Sequence, residues 1–482
     1  MDAFYHVALA DFGWSYFSAS SMPHISLSVW AEGFSDKELL FHLLLSMVRG
    51  VGKHLGVAPF PFHLPSLFFC ALIIISFVYA AKRFNVRHIW FFSVLLVVAV
   101  PQFTVRILML RPHDLAIALM LLSCVSFAGL KRARDYWQPL LLGMLFAWSY
   151  SNPHFILLPA VAFAVPLLRR SFLAAALLPL SCLGGVAIGY IIHPQFPFTF
   201  INWKIQCIDV MWYVLQGKRD IYVGDELLAG GVWNYFSSWG LLLLAVFNLV
   251  GLYLILRRYG WRRMPRPIQG MAIAAIVVFA GVGINIRVLE YACPFNMLLA
   301  GMLCSFWHRR ALPLPLGNNA AKRQNIVAAL AVWILIFAAF DCFYKFSALK
   351  PANLKPLENY AAWVKKVGLP PGMRVANVIW SDFPILMYSA PEQHYLWGMD
   401  PMFGYAADPE RAVRLERFRT GRVRLSPTQI RELAGSQLVF VSVFGWKLAR
   451  DMAGVGCRII YQGPDGWLFN LADSPTATVP AK

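Results

Sequence analysis

Long apolar runs separated by short polar connections dominate the first 346 residues, and the pattern changes character after that point. A helix needs roughly 20 apolar residues to cross a hydrocarbon core of about 30 Å. Runs near that length occur at 62–81, 89–103, 112–130, 138–150, 154–168, 172–192, 239–256, 269–285, 291–307 and 325–345, which predicts about ten membrane-crossing helices. Basic residues fall between them in bursts: Lys82/Arg83/Arg87, Lys131/Arg132/Arg134, Arg169/Arg170, Arg257/Arg258/Arg262/Arg263, and Arg309/Arg310 with Lys322/Arg323. These occupy every second connection, and connections rich in Lys and Arg stay on the cytoplasmic side. The segments 1–60, 104–111, 193–238, 286–290 and everything after about 346 are therefore expected outside. Ten crossings with an outer C-terminus also demand an outer N-terminus, so a first transmembrane helix ahead of Met1 is expected.

From about 350 the pattern becomes soluble. MRVANVI (373–379) and QLVFVSV (437–443) read as buried strands, and CRIIYQ and WLFNL flank Gly463-Pro464-Asp465-Gly466 as a hairpin. Helices are predicted over 357–367, 383–389, 408–418, 426–434 and 446–453, with Ser426 as a cap before Pro427. The expected fold is an α-helical polytopic membrane protein with a small C-terminal α/β soluble domain. It divides into an outer segment 1–60, a transmembrane domain 61–346 with a long outer loop 193–238, and an extracytoplasmic α/β domain 350–482. Within the outer segment, Ser35 followed by Glu38 has the spacing of a capping box and predicts a helix over 35–54. Leu40, Leu44, Met47 and Val51 line one side of it and His42, Ser46, Arg49 and Lys53 the other, the pattern of a helix lying along the interface.

Composition agrees with this picture: 59% of residues are hydrophobic and 14% charged, far from soluble averages. The net charge of +19 would suggest nucleic acid in a soluble chain, but its confinement to alternate connections assigns it to topology. Eight cysteines are scattered with no CxxC pair, so zinc ribbons and redox motifs are set aside, while a disulfide among Cys207, Cys293, Cys342 and Cys457 stays open.

Charged residues at the outer ends of apolar helices are expensive unless they face protein or water, and these carry the candidate chemistry. Four clusters fall on the outer side: Asp2, Tyr5 and His6 with Asp11; Asp36 and Lys37 ahead of His42; Arg106 through Arg111, His113 and Asp114; and Arg287 with Glu290 and Tyr291. A carboxylate such as Asp2 can act as a general base, and Asp2 or Asp114 can ligate a divalent cation, although no ligand set is secured. Arg111 or Arg287 suits a phosphate. The plainer reading has Arg106 and Arg111 snorkelling to headgroups and Arg287–Glu290 as an ion pair one turn apart. The aromatics of 193–238, among them Trp203, Trp212, Tyr213, Tyr222, Trp233 and Tyr235, suit interfacial anchoring or a sugar-binding surface. His394 to Pro401 reads as a core strand and turn or as an acceptor-facing loop.

Asp2-x-x-Tyr5-His6 followed by SDKELLFHLLL resembles the first extracytoplasmic loop of the GT-C glycosyltransferase superfamily, which includes oligosaccharyltransferase subunits, protein O-mannosyltransferases and bacterial aminoarabinose transferases. The loop carries an Asp near its start, and Asp2 is the matching position. Arg111-Pro112-His113-Asp114 is the best match to a second acidic motif, though it is not a DxD, and no WWDYG-type motif is present. The resemblance implies an inverting transferase in a bacterial inner membrane, with its C-terminal domain in the periplasm. It would move one sugar from a polyprenyl-phosphate donor to a lipid, glycan or protein acceptor. Asp2 would be catalytic, with Tyr5, His6, Asp36, Lys37, His42, Arg111, His113, Asp114, Arg287, Glu290 and Tyr291 binding substrate. Transporters and non-enzymatic envelope assembly factors share such topologies and form the alternative.

Overall fold

Every predicted crossing is helical, and five of the ten lie in helices that pass on length and apolarity by themselves. In the computed structural model, which describes residues 2–22, 24–56, 62–224, 231–310, 320–348 and 357–472, the chain forms two compact units. One comprises 1–50, 191–224 and 353–482, the other 51–190 and 225–352.

The second unit is all-helical. Five helices have the length and apolarity to cross a membrane: His63–Arg83, Phe172–Ile191, Trp239–Arg263, Ile286–Arg309 and Ala329–Ser347. The run 89–103 is broken instead. Ile89–Val98 and Pro101–Ile107 meet at 86°, because Val100 is extended and Pro101 starts a new helix that cannot continue the old hydrogen-bond ladder. His113–Gly129, Pro153–Leu167 and Arg266–Val282 are shorter apolar helices, and Trp137–Ser149 has 13 residues. At 1.5 Å per residue, the 17 residues of His113–Gly129 reach only about 25 Å. By length and apolarity alone five helices, or six with the broken pair as one, pass as spans among the described residues, and the shorter helices account for the rest of the ten apolar runs.

Ile286–Arg309 is almost wholly buried and Ala329–Ser347 mostly exposed, so the former is the unit's central helix. Asn248 Nδ2 donates to the carbonyl and side-chain oxygens of Asn296 at 2.9 and 3.1 Å, while Asn296 Nδ2 donates to Ala292 O and Ala275 O. This ties three helices by polar contacts where apolar association has no driving force against lipid. Trp137–Ser149 and Phe172–Ile191 approach backbone to backbone: a Cβ at Gly143 would strike Cys182 O, and one at Gly185 would strike Leu140 O.

In the first unit the C-terminal elements fall where the sequence places them. Strands β1 (Arg374–Asn377), β2 (His394–Tyr395), β3 (Leu438–Ser442), β4 (Arg458–Gly463) and β5 (Gly466–Asn470) form one sheet in the order β2-β1-β3-β5-β4. β1 is parallel to β2 and β3, and β5 is antiparallel to β3 and β4. The helices are Glu358–Val367, Phe383–Ser389, Pro401–Ala407, Pro409–Arg419, Pro427–Ala434 with its Ser426–Gln429 capping box, and Trp446–Gly454. The segment from His394 is core strand, with Leu396 and Trp397 buried. Residues 24–27 run beside β2, Tyr395 N donating to His24 O at 2.7 Å and Leu27 N to Leu396 O at 2.6 Å, which covers an otherwise open edge.

Two further expectations change. The helix expected over 35–54 starts at Leu39 and ends at His54. Ser35 does not cap it, because its hydroxyl is bonded to the Asn202 side chain, and Asp36 Oδ1 accepts from Glu38 N instead. Its apolar line is exposed at Met47 and Val51, while His42 on the polar line is buried and Arg49 pairs with Asp11. The segment 193–238 is largely helical up to Leu215, with Phe198–Trp203, a π-helical turn Lys204–Asp209 and Val210–Leu215. All eight cysteines are free, so the disulfide left open does not form.

The ends of β1 and β3 are tied by Asp382, whose Oδ1 accepts from Ser442 Oγ at 2.9 Å. Burial pushes the Asp382 carboxyl up to about 7, against smaller opposing contributions from Ser442 and from Arg419, the latter ion-paired with Glu416. A carboxyl with a raised folded pKa contributes stability that is fully present below its unfolded value near 4 and is lost as pH climbs to about 7, on the order of a few kcal/mol. Amide exchange of the β1 and β3 peptides, corrected for intrinsic rate, should show protection falling from pH 5 to 7 and level above. Asp382→Asn should flatten that slope.

Candidate active site

The sequence-predicted residues assemble into two groups, one in each unit. The first is built where the helices Asp2–Phe12 and Leu39–His54 face one another. His42 Nδ1 lies 2.8 Å from both oxygens of Asp36, and His42 Nε2 lies 2.8 Å from His6 Nδ1. All three side chains are buried. A carboxylate can only accept, so His42 presents Nδ1–H to Asp36 and its Nε2 lone pair accepts from His6 Nδ1–H. Asp2 stands in the first turn of its helix, half-buried, where the N-terminal dipole favours a carboxylate. His6 follows one turn later on the same face.

Asp36 is held by its backbone as well as its side chain. Gln195 Oε1 accepts from Asp36 N at 2.5 Å, and Gln195 Nε2 donates to Tyr16 O and Ala19 O. His193 accepts from Gln195 N at Nδ1, which leaves Nε2–H to donate to Asp36 O at 3.1 Å. Burial lowers the His193 pKa, in keeping with that neutral tautomer. Lys37 Nζ donates to Gln206 Oε1 at 2.7 Å and sits 5.3 Å over the Phe403 ring and 5.8 Å over that of Trp30. Tyr5 stacks on Trp30 and meets His6 and His42 edge-on. Burial, with Asp36 and Glu38 nearby, raises its hydroxyl pKa, which keeps it a hydrogen-bond donor.

The second group surrounds Glu290, which is buried at the start of the central helix. Its Oε1 pairs with Arg106, Nε at 2.5 Å, and its Oε2 lies 3.7 Å from His113 Nδ1. His113 Nε2 reaches Arg106 O at 3.2 Å and Asp114 Oδ1 at 3.2 Å. Asp114 Oδ2 accepts from Arg111 N at 3.4 Å. Tyr291 is buried, its ring edge-on to Tyr150 and Phe155. Beside the pair considered between Arg287 and Glu290, Glu290 pairs with Arg106, which lies 184 positions away. The backbone N–H of Arg287 donates to Asn285 Oδ1 at 2.8 Å as that residue caps the turn. Arg106, 13% exposed, is not snorkelling.

Asp2 and Asp114, the carboxylates considered for a cation, lie in different units. Among the described residues no group of three His, Cys, Asp or Glu side chains is placed to hold a metal ion. Reasoning from sequence missed Arg106 as a partner for Glu290, and missed His193, Gln195 and Gln206. Only Arg106 carried a signal, a lone cation in an apolar run.

The chain is a multi-span helical protein carrying a mixed five-stranded sheet, and that combination is shared with solved membrane proteins. The particular likeness is to "Crystal Structure of ArnT from Cupriavidus metallidurans bound to Undecaprenyl phosphate", with a TM-score of 0.55 and 15% identity over 98% of this chain and 93% of that one. The apo structure of the same protein gives a TM-score of 0.54 at 15% identity, covering 97% and 92%. At that identity the likeness establishes a shared fold, and the expected GT-C resemblance is borne out at this level. No family model matches the chain, and no curated protein matches significantly.

Proposed function

We propose that the protein is an inverting glycosyltransferase that moves a single sugar from a polyprenyl-phosphate donor to a lipid, glycan or protein acceptor on the extracytoplasmic face. The observation that carries this reading is the likeness over nearly the whole length to an ArnT structure captured with undecaprenyl phosphate. The basic clusters in alternate connections support the orientation, with the first unit outside.

Asp2 is the general base. It takes the proton from the acceptor hydroxyl as the acceptor oxygen attacks the anomeric carbon from the face opposite the phosphate. The bond from that carbon to the phosphate oxygen breaks, and the lipid phosphate leaves with the electron pair. Lys37 is the candidate for stabilising that leaving charge. Asp36 and His42 act through His6, fixing its tautomer one helical turn from Asp2. The experiment is a matched set of Asp2 variants in proteoliposomes supplied with a polyprenyl-phosphate sugar and envelope acceptors. Asp2→Asn should lower kcat by about 10²–10⁴-fold with donor affinity unchanged, and Asp2→Glu should restore part of it. Full activity in Asp2→Asn would remove this residue from the chemistry.

A further inference from the structure

One end of the first unit's sheet is the end at which the chain arrives from the last membrane helix. Tyr360 N donates to Asp465 Oδ2 at 2.8 Å and Val443 N to Asp465 O at 3.3 Å. The first turn of Glu358–Val367, the hairpin tip between β4 and β5 and the segment leaving β3 therefore lie together. Only residues 349–356 separate Leu357 from the apolar helix Ala320–Ala348, and a chain of that length reaches at most about 32 Å. It tethers this end of the sheet to the end of a membrane helix. Lys350 and Lys355 lie in the tether, which has no acidic residue.

At this end the segment leaving β3 carries two large rings, Phe444 at 61% exposure and Trp446 at 50%. Gly445 between them is pressed on the sheet, where a Cβ would fall 2.6 Å from the Val441 side chain and 2.8 Å from that of Ile379. The turn is thus held down, and the rings on either side of it stay outside. Trp446 opens the helix Trp446–Gly454, which buries Leu448, Ala449 and Met452. Its outer face begins with exposed Lys447 and Arg450, whose charges sit 5.6 and 5.3 Å from the Trp446 ring centre. Asp451, the acidic residue of that helix, follows them.

We propose that residues 443–450 rest on an anionic lipid surface, with Phe444 and Trp446 in the headgroup layer and Lys447 and Arg450 facing lipid phosphates. A single exposed ring is ordinary on a protein surface. Two within three positions, beside two cations and on a short tether from a membrane helix, have the chemistry of an interfacial contact. Aromatic rings settle at headgroup level, where one end is apolar and the other wet. Lys and Arg bury their stems against apolar neighbours and keep their charged ends in the phosphate layer, so the positions of Lys447 and Arg450 over the indole suit this surface. Each such cation adds attraction to an anionic bilayer. None of these residues belongs to the groups assigned to sugar transfer, and the proposal stands without that assignment.

The test uses the full chain in nanodiscs of phosphatidylglycerol and phosphatidylcholine, with the photoreactive p-benzoylphenylalanine placed singly at Phe444 or Trp446 and adducts read by mass spectrometry after illumination. The same group at Trp333, 70% exposed on the helix Ala329–Ser347, shows that lipid capture works. At exposed Arg374, which starts β1 at the sheet's other end, it should capture none. Lipid adducts are expected at both 444 and 446, with phosphatidylglycerol enriched about fivefold over its share of the bilayer, the factor that one cation near such a surface supplies. Lys447→Gln/Arg450→Gln, confined to exposed side chains, should bring the two lipids to their bulk ratio. Capture at Trp333 with none at 444 and 446, or equal capture at Arg374, would overturn the proposal. So would adducts to a second copy of the chain in place of lipid, or a lipid ratio that the two glutamines leave unchanged.

Discussion

Arg106→Ala is expected to destabilise the second unit by about 3–5 kcal/mol, the cost of leaving a buried carboxylate without its cation. Glu290 is 1% exposed and takes its charge partner from Arg106. His113 at 3.7 Å cannot replace a guanidinium, because only a protonated ring would compensate the charge and burial disfavours that form. In detergent, a thermal melt followed by cysteine accessibility would detect the loss, since Cys293, three residues after Glu290 on the same helix, is buried in the folded unit. The double variant Arg106→Met/Glu290→Met should recover most of the stability, as buried pairs replaced by apolar side chains of similar volume usually do. Full stability with Arg106 alone removed would show that Glu290 is not held as an ion.

The second large effect is expected at His42. It is fully buried and links Asp36 to His6 in the bond chain described above. His42→Ala leaves a carboxylate of 2% exposure without its ring donor and an imidazole N–H without its acceptor, each a penalty of about 1–3 kcal/mol. It should therefore weaken the docking of Asp2–Phe12 on Leu39–His54, which also relies on the Arg49–Asp11 pair. Asp36→Asn is the gentler probe, since the amide oxygen still accepts from His42 Nδ1 without the negative charge. Sugar transfer in Asp36→Asn should fall by about 10²-fold in kcat with little change in KM, and the thermal transition should stay close to that of the parent. A change in KM alone would point to a structural role.

The soluble elements were legible because their signals are local. Ser426 with Gln429 caps one helix, Gly463 to Gly466 turns one hairpin, and alternation or compact apolar runs mark the strands. The lengths of the helices were not legible, because an apolar run records what is buried and not where the helix within it stops. Val100-Pro101 breaks one such run by its backbone, and His113–Gly129 loses residues to its ends. The candidate residues were legible one by one from charge in apolar surroundings. Their pairings were not. His6 meets His42 across 36 positions and Arg106 meets Glu290 across 184, and distances of that kind depend on packing that no spacing rule reports. Gln195, which clamps the Asp36 backbone across 159 positions, is a common polar residue with no local mark at all.

The central claim is that the chain consumes a polyprenyl-phosphate sugar. Its most direct test is the purified protein in proteoliposomes with a donor labelled in the sugar, incubated with an envelope lipid and glycan extract, the anomeric configuration of the product being read by NMR. The account predicts loss of the donor, release of free polyprenyl phosphate, and labelled product of inverted configuration, all slowed by about 10²–10⁴-fold in Asp2→Asn. Donor that remains intact to the level of protein-free vesicles, with the protein folded and every extract fraction tried, would contradict it.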